Sequence, residues 1–153
     1  MRRLAILICS GALLSGSLLA ADSSSKDVID YRQDVMKTLE EQSSILGEMA
    51  SGVVPSDNMN TDMQILALAA STGLKAFTPK VPGGKAKPEV WSNWDDFSKK
   101  MNDFAQKAAD GAKAAQAQGS DAAMTALVDI ANGCKGCHDQ YREEEKKGQS
   151  NSQ

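Results

Sequence analysis

Apolar residues recur every three or four positions along four stretches of the chain, which is the spacing that places them on one face of an α-helix. The stretches that predict helices are about 26–49, 58–77, 89 or 93 to 118, and 120–146. No stretch alternates apolar and polar residues as a half-buried strand does. The pattern therefore predicts an all-α protein whose helices pack through their apolar faces.

The connections between the predicted helices are short, with one exception. Gly52 and Pro55 end the first helix, and Gly119 separates the third from the fourth. Between 78 and 88, three prolines and two glycines exclude a regular helix. Short links favour an antiparallel, up-down-up-down four-helix bundle, which places the start of the first helix beside the end of the fourth. The long connection is expected to border a site.

The first twenty residues have the pattern of a targeting segment. Arg2 and Arg3 precede a short apolar centre, and small residues offer cleavage after Ala20 or Ala21. The apolar centre is too short and too interrupted for a membrane span. We therefore predict a cleaved signal peptide over 1–20, with the cut alternatively after 21, a bundle over 22–147 and a flexible tail over 148–153. The expected compartment is the periplasm, without stable membrane insertion.

Charge and composition narrow the class further. Without the two arginines of the signal peptide, the formal net charge changes from −3 to −5. A mildly acidic chain argues against nucleic-acid binding, which requires a basic surface. The predicted mature length is that of one domain. Aromatic residues make up only 5% of the sequence, so the side chains alone form a thin core.

The strongest chemical signal is the run Cys134-Lys135-Gly136-Cys137-His138, which contains the only histidine in the chain. C-x-x-C-H is the pattern of covalent haem attachment. Two thiols at this spacing form thioether bonds to the vinyl groups on one edge of a haem, and the adjacent imidazole supplies an axial iron ligand. On a helix, Cys134 and His138 are four residues apart and share a face.

The cysteine pair has three other possible interpretations. A thioredoxin-like site expects a βαβ pattern, and none is visible. A zinc site needs four ligands, and a second Cys/His pair is missing. A disulfide between Cys134 and Cys137 is the remaining alternative, and haem attachment excludes it. Cys9 should be lost with the signal peptide.

Residues for the other side of the iron can be selected by counting along the helices. His138 lies about 12 Å from the end of the predicted fourth helix at 1.5 Å per residue. Met36 and Met101 fall at a similar height. Filling the core is the alternative role of any methionine. Less suited by height are Met63 and, still further away, Met49, Met59 and Met124.

Three segments together resemble the class II c-type cytochromes, the cytochrome c′ family: Tyr31-Arg32-Gln33, Pro88-Glu89-Val90-Trp91-Ser92 and the run from Cys134 to Arg142. The resemblance implies a four-helix bundle enclosing one covalent haem c. It also implies a role for each matching residue: Cys134 and Cys137 hold the haem, His138 is the proximal ligand, Arg32 approaches a haem propionate, Trp91 lies near the same edge, and Arg142 lies beside the proximal histidine.

The register of helix one in this resemblance puts the distal position on Met36, where five-coordinate members often have leucine. Methionine sulfur ligates haem iron. The resulting hypothesis is an electron-transfer cytochrome of the low-spin, methionine-ligated branch, with a six-coordinate His138–Met36 iron. The alternative is a five-coordinate cytochrome c′ that binds nitric oxide or carbon monoxide.

The resemblance also bears on partners and on catalysis. Transient contacts with redox proteins are expected. Members of the family often dimerise through their first two helices, so a homodimer is a second expectation. We do not expect an enzyme, because peroxidase-like catalysis needs a distal acid/base group and no second histidine exists to serve.

The haem itself is directly testable. Protein made in a host with working cytochrome c maturation should have the mass of the mature chain plus one haem, and acid–acetone should fail to extract the pigment. His138→Ala should disturb the coordination of the iron even where thioether attachment survives. A haem-free mass from such a host would overturn the assignment.

Overall fold

The computed structural model of the protein describes residues 23–144, so the predicted signal peptide and the predicted tail lie outside the described residues. The elements are helices α1 (Ser25–Ala50), α2 (Met59–Gly73), α3 (Glu89–Ser92), α4 (Trp94–Gln118) and α5 (Ser120–Tyr141), and a 3-10 turn, Leu74–Phe77, continues α2. The all-α prediction is confirmed. None of the helices within 23–144 is long and apolar enough to cross a membrane.

Four long helices form the bundle. α2 packs against α1 and α4, and α4 packs against α5. Local sequence explains where the helices begin and reverse. Ser24 and Asp27 form a reciprocal capping box at the start of α1, in which each side chain accepts a hydrogen bond from the other residue's backbone N–H. Gly119, at φ 85°, joins α4 to α5 in a left-handed conformation that glycine adopts without strain.

Two apolar clusters fill the bundle. The first contains Leu46, Met59, Met63 and Leu66, with Met49 and Met124 also against it. The second, which we call the motif-end cluster, contains Ala76, Phe77, Val90, Phe97, Met101 and Tyr141, with Cys137 packed against it. Met36 contacts both clusters. Met36 and Met101 thus both contact the motif-end cluster, whereas Met49, Met59 and Met63 belong to the first cluster.

The predicted fourth helix was too long. α5 ends at Tyr141, and Arg142 is extended at φ −110° and ψ 134°. Beyond that point the chain pairs with the long connection: the backbone N–H of Lys87 donates to the Tyr141 carbonyl at 3.0 Å, and that of Glu143 donates to the Lys85 carbonyl at 2.9 Å. The Arg142 N–H still donates to the His138 carbonyl as in a helix, whereas the Glu143 N–H and the Tyr141 carbonyl are paired with the long connection instead. Of the two predicted starts of the third helix, the one at 93 agrees with α4, and residues 89–92 form the separate short helix α3.

A partly buried hydrogen-bond network ties the end of α5 to α4. The Tyr141 hydroxyl donates to the Asp96 carboxylate at 2.5 Å and accepts from the Asn93 amide at 3.1 Å. Asp96 also pairs with Lys100 at 2.8 Å. Burial, followed by the hydrogen bond to the negative Asp96, raises the pKa of Tyr141 to about 12. The phenol therefore stays protonated and keeps donating over the physiological pH range.

Removing this hydroxyl should destabilise the bundle. Tyr141→Phe leaves Asp96 and Asn93 without their shared partner, at a cost of about 1–3 kcal/mol in the free energy of unfolding, measured by urea titration. Tyr31→Phe is the matched control, because Tyr31 is 53% exposed and should change stability little. Equal effects of the two substitutions would contradict the role given to Tyr141.

The same hydroxyl predicts a pH dependence. The folded pKa of Tyr141, about 12, lies above its ordinary value of 10.0, so folding favours the protonated phenol. The stabilisation is complete below about pH 10 and is lost as pH rises towards 12. The stability difference between wild type and Tyr141→Phe should therefore shrink across that window, while Tyr31→Phe follows wild type.

Candidate functional site

Helix α5 carries all three residues of the attachment motif. Cys134 and Cys137 are half-buried on the side that packs against the bundle, and both are free thiols. Burial raises the pKa of both thiols, which keeps them protonated at neutral pH. Since both thiols are free, the structure has no disulfide between Cys134 and Cys137.

A cavity of about 630 Å³ lies against this face of α5, bounded by α1, α4 and the long connection. The volume is that of a small-molecule or cofactor site. The motif forms one wall with Cys134, Cys137 and His138. Apolar side chains from α1 and α4 form others: Met36, Leu39, Phe97, Met101 and Phe104. The long connection contributes Lys85 and Ala86, which confirms that it borders the site.

Positive side chains surround this apolar interior. They come from four elements and are Arg32, Lys37, Lys85, Lys100 and Arg142. A haem combines a large apolar ring with two carboxylates, so it requires apolar walls and cations near its edge. Two thiols, one imidazole, apolar walls and bordering cations are the complete set that a covalent haem needs, and the residues present fit it.

His138 is in the state that ligates a metal. Its side chain is exposed along the cavity wall, yet the surrounding protein lowers the pKa of His138 by partial burial first and by the positive charge of Arg142 second. A neutral imidazole has the nitrogen lone pair that iron binds. Arg142 is half-buried directly after α5, and its backbone N–H donates to the His138 carbonyl at 3.0 Å. The structure places Arg142 beside His138, as the resemblance implied.

Arg32 is the one charged residue in the buried class within 23–144, at 2% exposure. Its guanidinium donates to the Val81 and Gly83 carbonyls, each at 2.8 Å. It also lies 5.1 Å from the ring centroid of Phe77 and 5.3 Å from that of Trp91. Burial lowers the pKa of Arg32, but an arginine remains charged at physiological pH. No acidic side chain of the described chain pairs with it.

Trp91 occupies a less direct position than the resemblance implied. Its ring packs on Arg32, Phe77 and Trp94 and does not line the cavity. Its indole Nε1 is buried without a hydrogen-bond partner in the described region. Trp91 therefore contacts the site only by way of Arg32. Its unpaired indole N–H belongs to the ring that packs on Arg32, Phe77 and Trp94.

Sequence reasoning missed several residues of the site. Asp96 and Lys100 lie on α4 beside Cys137, where their charges act on its thiol, and Lys100 also lines the cavity. Their i, i+4 spacing signals a helical ion pair, but many such pairs lie on solvent-exposed surfaces. Nothing in the local sequence distinguishes the Asp96–Lys100 pair, which contacts Tyr141, from ion pairs that lie on the exposed surface.

Comparison with known proteins gives consistent results. Residues 27–142 match the sequence family described as Cytochrome C'. A cytochrome c′ from Alcaligenes xylosoxydans xylosoxydans is 29% identical over 119 residues, which cover 76% of this chain and 94% of that protein. A cytochrome c-556 from Rhodopseudomonas palustris is 29% identical over 149 residues, covering 92% of this chain and 97% of that protein. A nitric oxide complex of a cytochrome c prime variant from Alcaligenes xylosoxidans superposes with a TM-score of 0.74 at 27% identity, covering 80% of this chain and 98% of that chain.

These relatives correct one prediction. Most of the named relatives, and the similar solved structures, are cytochromes c′. The hypothesis of an electron-transfer protein with a six-coordinate His138–Met36 iron is therefore wrong, and the low-spin branch is not confirmed. The physical reason lies in the packing: Met36 contacts both apolar clusters, so core packing accounts for its thioether without iron ligation.

Haem attachment and folding should be linked. Cys134→Ser with Cys137→Ser removes both attachment points, and the cavity walls then lose the contacts that a ring between them would supply. The double variant should stay helical but lose near-ultraviolet dichroism and melt less cooperatively.

Wild-type protein produced without cytochrome c maturation is the control, and it should behave in the same way. A double variant with sharp near-ultraviolet signals and wild-type melting would refute the linkage.

Proposed function

Because the chain belongs to the cytochrome c′ family, we propose that this protein, which carries one covalent haem c, binds nitric oxide or carbon monoxide at an iron with a single protein ligand, His138. The observation that carries the proposal is the asymmetry of the cavity. Its one imidazole is on α5, whereas α1 and α4 contribute the thioether, aliphatic and aromatic groups of Met36, Leu39, Met101 and Phe104. The nitric oxide complex of a similar cytochrome c prime supports the choice of ligand.

Each wall of the cavity has a separate task. Cys134 and Cys137 hold the haem as thioethers, and the neutral imidazole of His138 ligates the iron. When bound, the haem supplies an iron that takes a gas molecule at a position not used by the protein. The apolar side chains of α1 and α4 exclude water and charged ligands, which favours small uncharged molecules. Met36 acts here as part of that wall.

Arg32 and Trp91 are proposed to serve the acidic edge of the haem. Arg32 is a buried cation without an acidic partner in the described chain, and Trp91 has a buried donor without a partner in that region. A propionate would satisfy Arg32, since a guanidinium binds carboxylate with charge-assisted hydrogen bonds, whereas Trp91, which does not line the cavity, supports Arg32 through ring packing. Partial burial, followed by the positive charge of Arg142, lowers the pKa of the neighbouring His138 imidazole.

The cellular setting belongs to the same proposal. The pattern of residues 1–20 supports export to the periplasm. The protein is proposed to bind ligands without catalysing a reaction, because its one histidine serves as iron ligand. Redox proteins are its proposed transient partners. A homodimer through α1 and α2 is supported by exposed apolar side chains on these helices, Ile45, Ile65 and Leu68.

An optical spectrum tests the coordination state. Purified ferric protein should be high-spin, and the reduced protein should bind carbon monoxide and nitric oxide without displacing a protein ligand. Met36→Leu should leave the spin state unchanged, because the thioether is only a wall. A low-spin wild-type spectrum with a methionine-to-iron charge-transfer band that Met36→Leu abolishes would disprove the proposal.

A further inference from the structure

Gly73, the last residue of α2, leaves a notch that two methionines of other helices enter. An ideal Cβ built on Gly73 would lie 2.7 Å from Cε of Met101 and 3.9 Å from Cε of Met36. Real Cβ atoms essentially never approach another heavy atom within 3.0 Å. The backbone of Gly73 is ordinary helix, at φ −53° and ψ −57°. The local conformation therefore does not require glycine, whereas the position of the Met101 methyl group does.

Both methionines line the cavity, so the notch affects its shape. Met101 also belongs to the motif-end cluster, among Phe77 and Phe97. A close-packed interior deforms very little, whereas a methionine side chain is flexible. A Cβ at position 73 would therefore drive the Met101 thioether away from α2, towards the cavity as the nearest free volume. Met36 Cε, 3.9 Å from the same Cβ position, would be in ordinary van der Waals contact with the new group and would not have to move.

We propose that Gly73 is a specificity-determining residue, whose notch holds the Met101 methyl group back from the cavity and so sets the size of ligand that the cavity accepts. The ligand class rests on the proposed function, whereas the position of the methyl group does not. The wild-type notch leaves room for diatomic gases. Filling it should hinder bulkier neutral ligands, such as alkyl isocyanides, more than carbon monoxide.

The chain offers a matched control at Gly111. This buried glycine of α4 would place a Cβ 2.8 Å from Cε of Met63, 3.0 Å from Cβ of Ala126 and 3.4 Å from Cδ1 of Ile130, so the crowding is at least as severe as at Gly73. Met63 belongs to the other apolar cluster and does not line the cavity. Gly111→Ala therefore introduces a clash at least as severe among residues that do not line the cavity, and it separates a local effect on the cavity from a general loss of packing.

The first measurement is the rate of ligand binding to the reduced holoprotein. Gly73→Ala should slow carbon monoxide association about tenfold, equivalent to about 1.4 kcal/mol in activation free energy, and slow an alkyl isocyanide more. Gly111→Ala should leave both rates near wild type. Gly73→Ala combined with Met101→Leu should recover the rate, because leucine lacks the terminal methyl that occupies the notch. Equal slowing by the two glycine substitutions, or no recovery in the double variant, would overturn the inference.

The second measurement follows the methionine methyl groups themselves, by NMR of reduced protein labelled with ¹³C at the methionine methyls, under carbon monoxide. Gly73→Ala should move the Met101 signal and leave those of Met59 and Met63, whereas Gly111→Ala should move Met63. Wild type that fails to bind carbon monoxide would refute the proposed function alone, since the methyl shifts still report on the notch. An unmoved Met101 signal in Gly73→Ala would refute the notch whatever the iron binds.

Discussion

The hydrogen bond from Tyr141 to Asp96 is the contact on which the geometry of the site depends most. His138 precedes Tyr141 by less than one helical turn, so any rotation of the end of α5 would carry the imidazole with it. Asp96 is itself held by Lys100, and the Tyr141 ring packs edge-on against Phe97 with centroids 5.2 Å apart. The end of α5 is thus fixed to α4 by both a charge-assisted hydrogen bond and an aromatic contact.

The long connection completes this arrangement from the other side. Its backbone pairs with residues 141–143, and its Val81 and Gly83 carbonyls accept from Arg32 of α1. Burying a cation costs desolvation free energy unless it is hydrogen-bonded. The two carbonyls and two aromatic rings that contact Arg32 offset part of this cost. The connection therefore links α1 to the end of α5 across the cavity, although it contains no long regular element of its own.

The sequence predicted those features that depend on local spacing. Helical period located the four bundle helices, the C-x-x-C-H run located the attachment wall, and residue counting placed Met36 and Met101 at its height. The end of α5 was misplaced because hydrogen bonds from residues 85–87, distant in sequence, compete there with the helix. The network of Asp96 and the notch at Gly73 were not predictable, since each depends on how two helices rotate against each other. The same limit applies to the coordination of the iron, because a methionine at the right height is suited both to packing and to ligation.

The bundle packs a methionine methyl against a glycine at two places, Gly73 and Gly111. The packing at Gly111 helps to explain the packing at Gly73. Gly111 receives the Met63 methyl in the apolar cluster remote from the cavity, where no cofactor competes for the thioether. Gly73 receives the Met101 methyl in the same way, with Met36 beside it. Glycine at each site lets a flexible side chain fill space that a Cβ would otherwise take. Close packing between helices is thus sufficient to account for methionines at the cavity wall, and the shape of that wall follows from the glycine that faces them.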